Sequence, residues 1–136
     1  MSKTIVIVGG GEVGHHLAGL LLSWGHHPTL VEQRPAVVQR LKTRGGAPVV
    51  EGDGTDPEIL ERAGIRSADI LAAVTGSDAV NLTVASLARF QFVVGRTLAR
   101  VNVPRHAWMF TSELGVDVAL NQAEGLAHLI VEKSAQ

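Results

Sequence analysis

The 136-residue chain contains no cysteine and no tyrosine. Without thiols it can form no disulfide, no thiolate metal site and no cysteine nucleophile, a composition compatible with a reducing compartment. Without tyrosine it lacks the phenolic acid/base on which one large group of nucleotide-dependent reductases relies. It also lacks an excess of charge. Twelve Lys and Arg offset thirteen Asp and Glu, so no strong field selects a nucleic acid, and the one basic cluster, Arg40, Lys42 and Arg44, reads as the solvated face of a helix. Long apolar runs are missing too. Leu17 to Leu22 falls far short of a spanning helix, and Met1-Ser2-Lys3-Thr4 leads into a strand without a secretory cleavage pattern. The expectation is a soluble, cytoplasmic chain that does not itself insert into a membrane. Its length suits one domain over residues 1–136, without room for a second.

The residues that are present alternate in period. Thr4-Ile5-Val6-Ile7-Val8 is a continuous β-branched run ended by glycines, the pattern of a strand buried on both faces. Val13, Leu17, Leu21 and Trp24 then recur at helical spacing, up to a stop at Gly25. His27 to Glu32 is a second strand, Pro35 to about Arg44 a helix, and Ala47 to Val50 a third strand. Thr55-Asp56-Pro57-Glu58 caps a short helix ending at Gly64. Asp69 to Val74 is strand four, Asp78 to Val93 a helix, Arg96 to Val101 strand five, Pro104 to Glu113 a helix, and Val116 to Leu120 strand six. Asn121 caps a final helix to about Lys133. Strict alternation with short connections predicts an α/β, three-layer, doubly wound Rossmann fold, its six parallel strands in the order 3-2-1-4-5-6.

Gly9-Gly10-Gly11-Glu12-Val13-Gly14 places a G-x-G-x-x-G set between the first strand and the first helix. The first glycine allows the tight turn, the second a close approach of backbone to pyrophosphate, and the third close packing of helix on strand. Glu32 follows Gly14 at the end of the second strand, where a ribose hydroxyl would donate to it. An acid there repels a 2′-phosphate and favours NAD(H) or an adenine nucleotide over NADP(H), whereas Arg34, beyond Gln33, could pair with a phosphate or stand in solvent.

Further blocks make the pattern specific. Glu51-Gly52-Asp53-Gly54-Thr55, Leu60-Glu61-Arg62-Ala63-Gly64-Ile65 with Ala68-Asp69, and Ala73-Val74-Thr75-Gly76-Ser77-Asp78 with Asn81 follow in order. Ala99-Arg100-Val101-Asn102 and Leu114-Gly115-Val116-Asp117 complete the series. Together they resemble, over nearly the whole chain, the TrkA-N family, also called the RCK or KTN nucleotide-binding domain, which regulates potassium channels and transporters. The resemblance implies that Gly9, Gly11 and Gly14 form the phosphate loop and that Glu32 binds ribose. It also implies that Asp53 and Thr55 face the adenine and that Thr75, Gly76 and Asp78 border the ligand. Arg100 would lie near the phosphates or a dimer interface. On chemistry alone, Asp53 and Asp78 could equally cap helices, and Arg100 is an awkward charge in a buried strand unless paired.

Two departures shape the expectation. The ATP-binding branch of the family often has an arginine in the glycine loop where this chain has Glu12, and the family's common C-terminal ligand-binding domain is not found in the chain. NAD or NADH is therefore expected ahead of ATP, ADP or AMP. The expected role is a regulatory sensor rather than an enzyme, working with a membrane potassium transporter or channel subunit and peripheral to the inner face of its membrane. A detached dehydrogenase cofactor domain is the competing class, opposed by the absence of a substrate pocket or tyrosine acid/base. His15-His16 and His26-His27 read as ordinary surface or half-buried histidines, and His106 and His128 have no evident partner. Val80, Leu82, Val84, Leu87, Phe90 and Phe92 surround their helix. With Trp108-Met109-Phe110 and Leu126, Leu129 and Ile130, they predict contact with a second copy in a homodimer.

Overall fold

The computed structural model describes residues 1–134. In chain order it contains β1 (Thr4–Val8), α1 (Glu12–Ser23), β2 (His27–Glu32), α2 (Pro35–Arg44), β3 (Val49–Glu51), α3 (Pro57–Arg62), β4 (Ile70–Ala73), α4 (Asp78–Ser86), β5 (Arg96–Val101), β6 (Val118–Asn121) and α5 (Gln122–Ser134). Every strand pair is parallel, and the sheet order is β3-β2-β1-β4-β5-β6. This is the doubly wound Rossmann fold expected from the alternation of periods.

Strand β1 lies at the centre, paired with β2 on one side and β4 on the other. Its alternate side chains enter two cores. Ile5 and Ile7 pack with Ala18 of α1 and Val37 and Leu41 of α2, while Val6 and Val8 pack with Leu60 of α3 and Val84 and Ala85 of α4. A strand covered on both faces has no polar side to show, which is why its sequence is uniformly apolar. Asp56 caps α3 by accepting from the Glu58 N–H, and Pro57 occupies the first helical position.

Several boundaries differ from the sequence expectation. The helix expected over 78–93 remains α-helical only to Ser86. It then widens into one π-helical turn, Leu87–Gln91, in which the Phe92 N–H donates to the Leu87 carbonyl. The extra residue turns Phe92 into the core under Arg66, 5.1 Å above its ring, and leaves Phe90 61% exposed. The helix expected over 104–113 is instead two short 3-10 segments, Pro104–Met109 and Ser112–Leu114, because Phe110 between them is drawn into the core. Strand β6 begins two residues later than expected, after Asp117 has bonded back to Thr97. Strand β3 starts at Val49 rather than Ala47. The final helix matches its expected span and cap, with Asn121 Oδ1 accepting from the Glu124 N–H.

The tightest constraint joins α1 to β1. Gly9 has φ +119°, and a Cβ added at Gly14 would overlap the Gly9 carbonyl. Gly14→Ala must therefore push α1 off the sheet, whereas Gly19, on the same helix, has nothing within 4 Å of such a Cβ. In thermal or urea unfolding, Gly14→Ala should cost more than ~3 kcal/mol or abolish folding. Gly19→Ala should be neutral or stabilising by up to ~1 kcal/mol.

Candidate functional site

At the carboxyl ends of β1, β2 and β4 the sheet opens into a cavity of about 500 Å³. This is the crevice where the strand order reverses and where open α/β sheets bind ligands. The glycine loop forms one wall, with Gly9, Gly11, Glu12 and Val13 lining it. Gly11 is the N-cap of α1 and has no side chain to accept the first-turn N–H groups, so these donors and the positive end of the helix are directed at the loop. The ends of β2 and β3 add Glu32, Gln33, Arg34, Asp53 and Gly54, and the far wall adds Thr75, Gly76 and Arg100. The strand-end residues Val8, Val31 and Val74, together with Gly52, Ser77 and Val80, also line it. Sequence reasoning missed these six; for Val8, Val31, Gly52 and Val74 the place at or just after a strand end is the signal that could have found them, whereas Ser77 and Val80 belong to the cap and first turn of α4.

Glu32 is only 4% exposed and holds four hydrogen bonds. Its Oε1 accepts from the Gly10 N–H and Arg34 Nη2, both at 2.9 Å, and its Oε2 from the Arg34 N–H at 2.7 Å and Nε at 3.0 Å. Burial alone would raise its pKa. The Arg34 side chain, the two backbone donors and the Arg34 charge outweigh that and bring it down from the ordinary 4.5 to about 2. The expected ribose acceptor is thus an ionised carboxylate already bound by its neighbours, and Arg34 is its bidentate partner.

Asp53 does not cap a helix. Its carboxylate closes a local turn, accepting from the Thr55 N–H at 2.9 Å and the Thr55 hydroxyl at 2.8 Å, so Thr55 supports the loop rather than lining the cavity. Asp78 and Asn81 are also away from the cavity. Ser77 caps α4 through the Val80 N–H. Asp78, 8% exposed, accepts from the Asn102 N–H at 2.6 Å and the Val103 N–H at 2.9 Å, and pairs with His106 Nδ1 at 2.8 Å. Burial pushes its pKa up, but the bonds from Asn102, His106 and Val103 hold it below the usual carboxylate value. Asn81 is fully buried. It accepts from the Thr75 N–H at 2.9 Å and donates to the carbonyls of Thr75 and Arg100, both at 3.0 Å. Asn102 Nδ2 donates to the same Thr75 carbonyl at 2.9 Å. Gly10 and Gly14 likewise shape the loop without lining the main cavity. Arg100 lines the cavity and, among the described residues, makes no ion pair.

The histidines are placed individually. His16 lies 3.5 Å from Glu12, His128 lies 3.7 Å from Glu124, and His26 Nδ1 accepts from the Lys3 N–H. The His106 partner, Asp78, is 28 residues away along the chain, which hid it from sequence inspection.

The family model for the TrkA-N domain matches residues 5–122. The chain belongs to the TrkA-N family. The Trk system potassium uptake protein TrkA of Mycobacterium tuberculosis is 35% identical over 133 residues, covering 94% of this chain and 58% of that protein. A TrkA homolog of Methanothermobacter thermautotrophicus is 40% identical over 113 residues, 83% of this chain and 51% of that protein. The chain thus spans a little over half the length of these relatives. The TrkA-N domain of the inner membrane protein ybaL from Escherichia coli shares the fold, with a TM-score of 0.79 at 23% identity, covering 97% of this chain and 96% of that one. So does the GsuK channel bound to NAD, with a TM-score of 0.77 at 22% identity, covering 88% of this chain and 21% of that one.

Two outcomes test this geometry. A group whose pKa is lowered on folding stabilises the fold above its unfolded pKa, and that contribution is lost as pH falls through the folded value. Unfolding followed against pH should therefore show stability lost between about pH 4.5 and pH 2, and Glu32→Gln should flatten that slope. Asn81→Ala removes the acceptor of the Thr75 N–H and a donor to the Arg100 carbonyl. It should cost ~2–4 kcal/mol in chemical denaturation and raise amide exchange at Thr75.

Proposed function

We propose that this TrkA-N chain, taken as one unit over residues 1–136, is a regulatory sensor that binds NAD or NADH in the 500 Å³ cavity and reports occupancy to a membrane potassium transporter or channel subunit. The observation behind this is the pairing, across one cavity, of a glycine-loop helix N-terminus with Arg100, a cation that has no carboxylate partner among the described residues. A pyrophosphate is the group that both would attract. Glu12, at the entrance to α1, opposes the additional charge of a triphosphate terminus and favours the dinucleotide over ATP. The TrkA relatives support the assignment to potassium transport, and the NAD-bound channel of the same fold supports the choice of ligand.

A binding role suits the cavity better than catalysis. Its carboxylates are Glu12, Glu32 and Asp53. Glu32 is clamped with a pKa of about 2 and is not poised to move protons near neutral pH, and Asp53 is engaged by Thr55. The same structure offers a route for a signal. Thr75 borders the ligand space and is bonded to Asn81 and Asn102, and Asn102 and Asp78 hold the Pro104–Met109 segment. A ligand shifts that segment only by binding its two positions with different affinity. Phe90, Trp108, Leu126, Leu129 and Ile130 are exposed on the isolated chain. They supply the apolar surface for a homodimer through which the shift reaches the transporter at the inner face of the membrane. Among the described residues no helix is long and apolar enough to cross a membrane.

Titration calorimetry with NADH, NAD, ATP and ADP tests this. NADH or NAD should bind most tightly, and Arg100→Ala should weaken it roughly tenfold or more, the scale of a lost hydrogen bond to a charged group. Tighter binding of ATP or ADP would make the chain an energy-state sensor, and no binding by any of the four would overturn the proposal.

A further inference from the structure

Arg40 and Arg44, part of the cluster that reads as a solvated helix face, do not simply point into solvent. With Arg34 and His15 they line a second cavity of about 360 Å³, floored by glycine-loop backbone. The two cavities adjoin and share Gly11, Glu12 and Arg34. Three guanidinium groups thus meet one exposed carboxylate, Glu12, which is itself close to His16. Arg40 and Arg44 are exposed and make no ion pair among the described residues.

We infer that this second cavity holds the 2′-phosphate of an adenosine ribose seated in the first, so that the ligand class extends to the phosphorylated dinucleotides NADP and NADPH. The inference rests on the nucleotide reading of the first cavity. In this fold an acid after β2 accepts from the ribose 2′-hydroxyl, whereas a nearby arginine accommodates a 2′-phosphate. This chain has both, and the structure separates them. Glu32 is buried, and its oxygens already accept from Gly10 and Arg34, so its charge is compensated before a ligand arrives. Arg34 uses Nε and one Nη2 donor on Glu32, which leaves three of the five guanidinium N–H groups for another acceptor. Arg40 and Arg44 line the same cavity from about two and three turns further along α2, so a phosphate held there beside Arg34 meets their charge as well. The acid that suggests exclusion of a 2′-phosphate therefore orients the arginine that would bind it.

The test is calorimetry of NAD, NADP and inorganic phosphate against the wild-type chain and an Arg40→Gln/Arg44→Gln variant, with thermal unfolding to verify the fold. Neither substituted residue lines the first cavity. NADP should bind wild type at least as tightly as NAD, and the variant should lose tenfold or more in NADP affinity and less than twofold in NAD affinity. NAD binding with NADP ten or more times weaker overturns the inference and leaves the sensor proposal standing, as does an equal loss for both ligands in the variant. Inorganic phosphate binding as tightly as NADP would reassign the cavity to a free anion and overturn it too. Failure of both dinucleotides to bind wild type would instead overturn the sensor proposal on which it rests.

Discussion

The contact between Gly14 and the Gly9 carbonyl is the constraint on which the rest of the site depends. It brings α1 so close to the end of β1 that no side chain fits between them, and the helix N-terminus is thereby aimed at the crevice between β1 and β4. A side chain at Gly14 would tilt or withdraw the helix, and the converging N–H groups would be lost with it, whereas one at Gly9 would be strained at φ +119° and crowd the backbone of Val74 and Thr75. The same closeness lets the Gly10 N–H reach Glu32 across 22 residues of chain. The glycine loop, the end of β2 and their charges thus form one rigid unit.

A second unit stands on the opposite side of the cavity. Asn81, Asn102 and Asp78 are not part of the ligand space; they fasten its wall. Burying so many polar atoms is tolerable only when each is bonded, and among the described residues no buried side-chain nitrogen or oxygen lacks a partner. Such a network has few alternative arrangements, so displacement of Thr75 must be shared by Asn102 and by the segment that Asp78 holds. The proposed sensor role would use this network to couple an occupied cavity to a distant surface.

Charge is handled differently at the two ends of the crevice. Glu32 is neutralised within the fold, whereas Arg100 lines the cavity and makes no ion pair among the described residues. A chain with almost no net charge can therefore present locally positive walls to an anion, because pairing removes the buried acid from the balance and leaves the cations exposed.

Much of this was legible in the residues. Strand order, the phosphate loop, the cap at Asp56 and the family blocks are set by short-range rules: buried strands need continuous apolar runs, tight turns need glycine, and helix starts need an acceptor. The extent of the helices near Phe92 and Phe110 was not legible, because each boundary is decided by a ring that enters a core assembled from distant segments. Nor were the fates of the candidate acids. Asp53, Asp78 and Glu32 are alike as carboxylates in a sequence, yet one braces a turn, one anchors a loop through His106, and one is locked by Arg34. Local propensity and spacing were enough to determine the fold and to locate the crevice. Which side chains face it, which support it and which charges stay unpaired was decided only by tertiary structure, because hydrogen-bond partners are chosen by proximity in space and not along the chain.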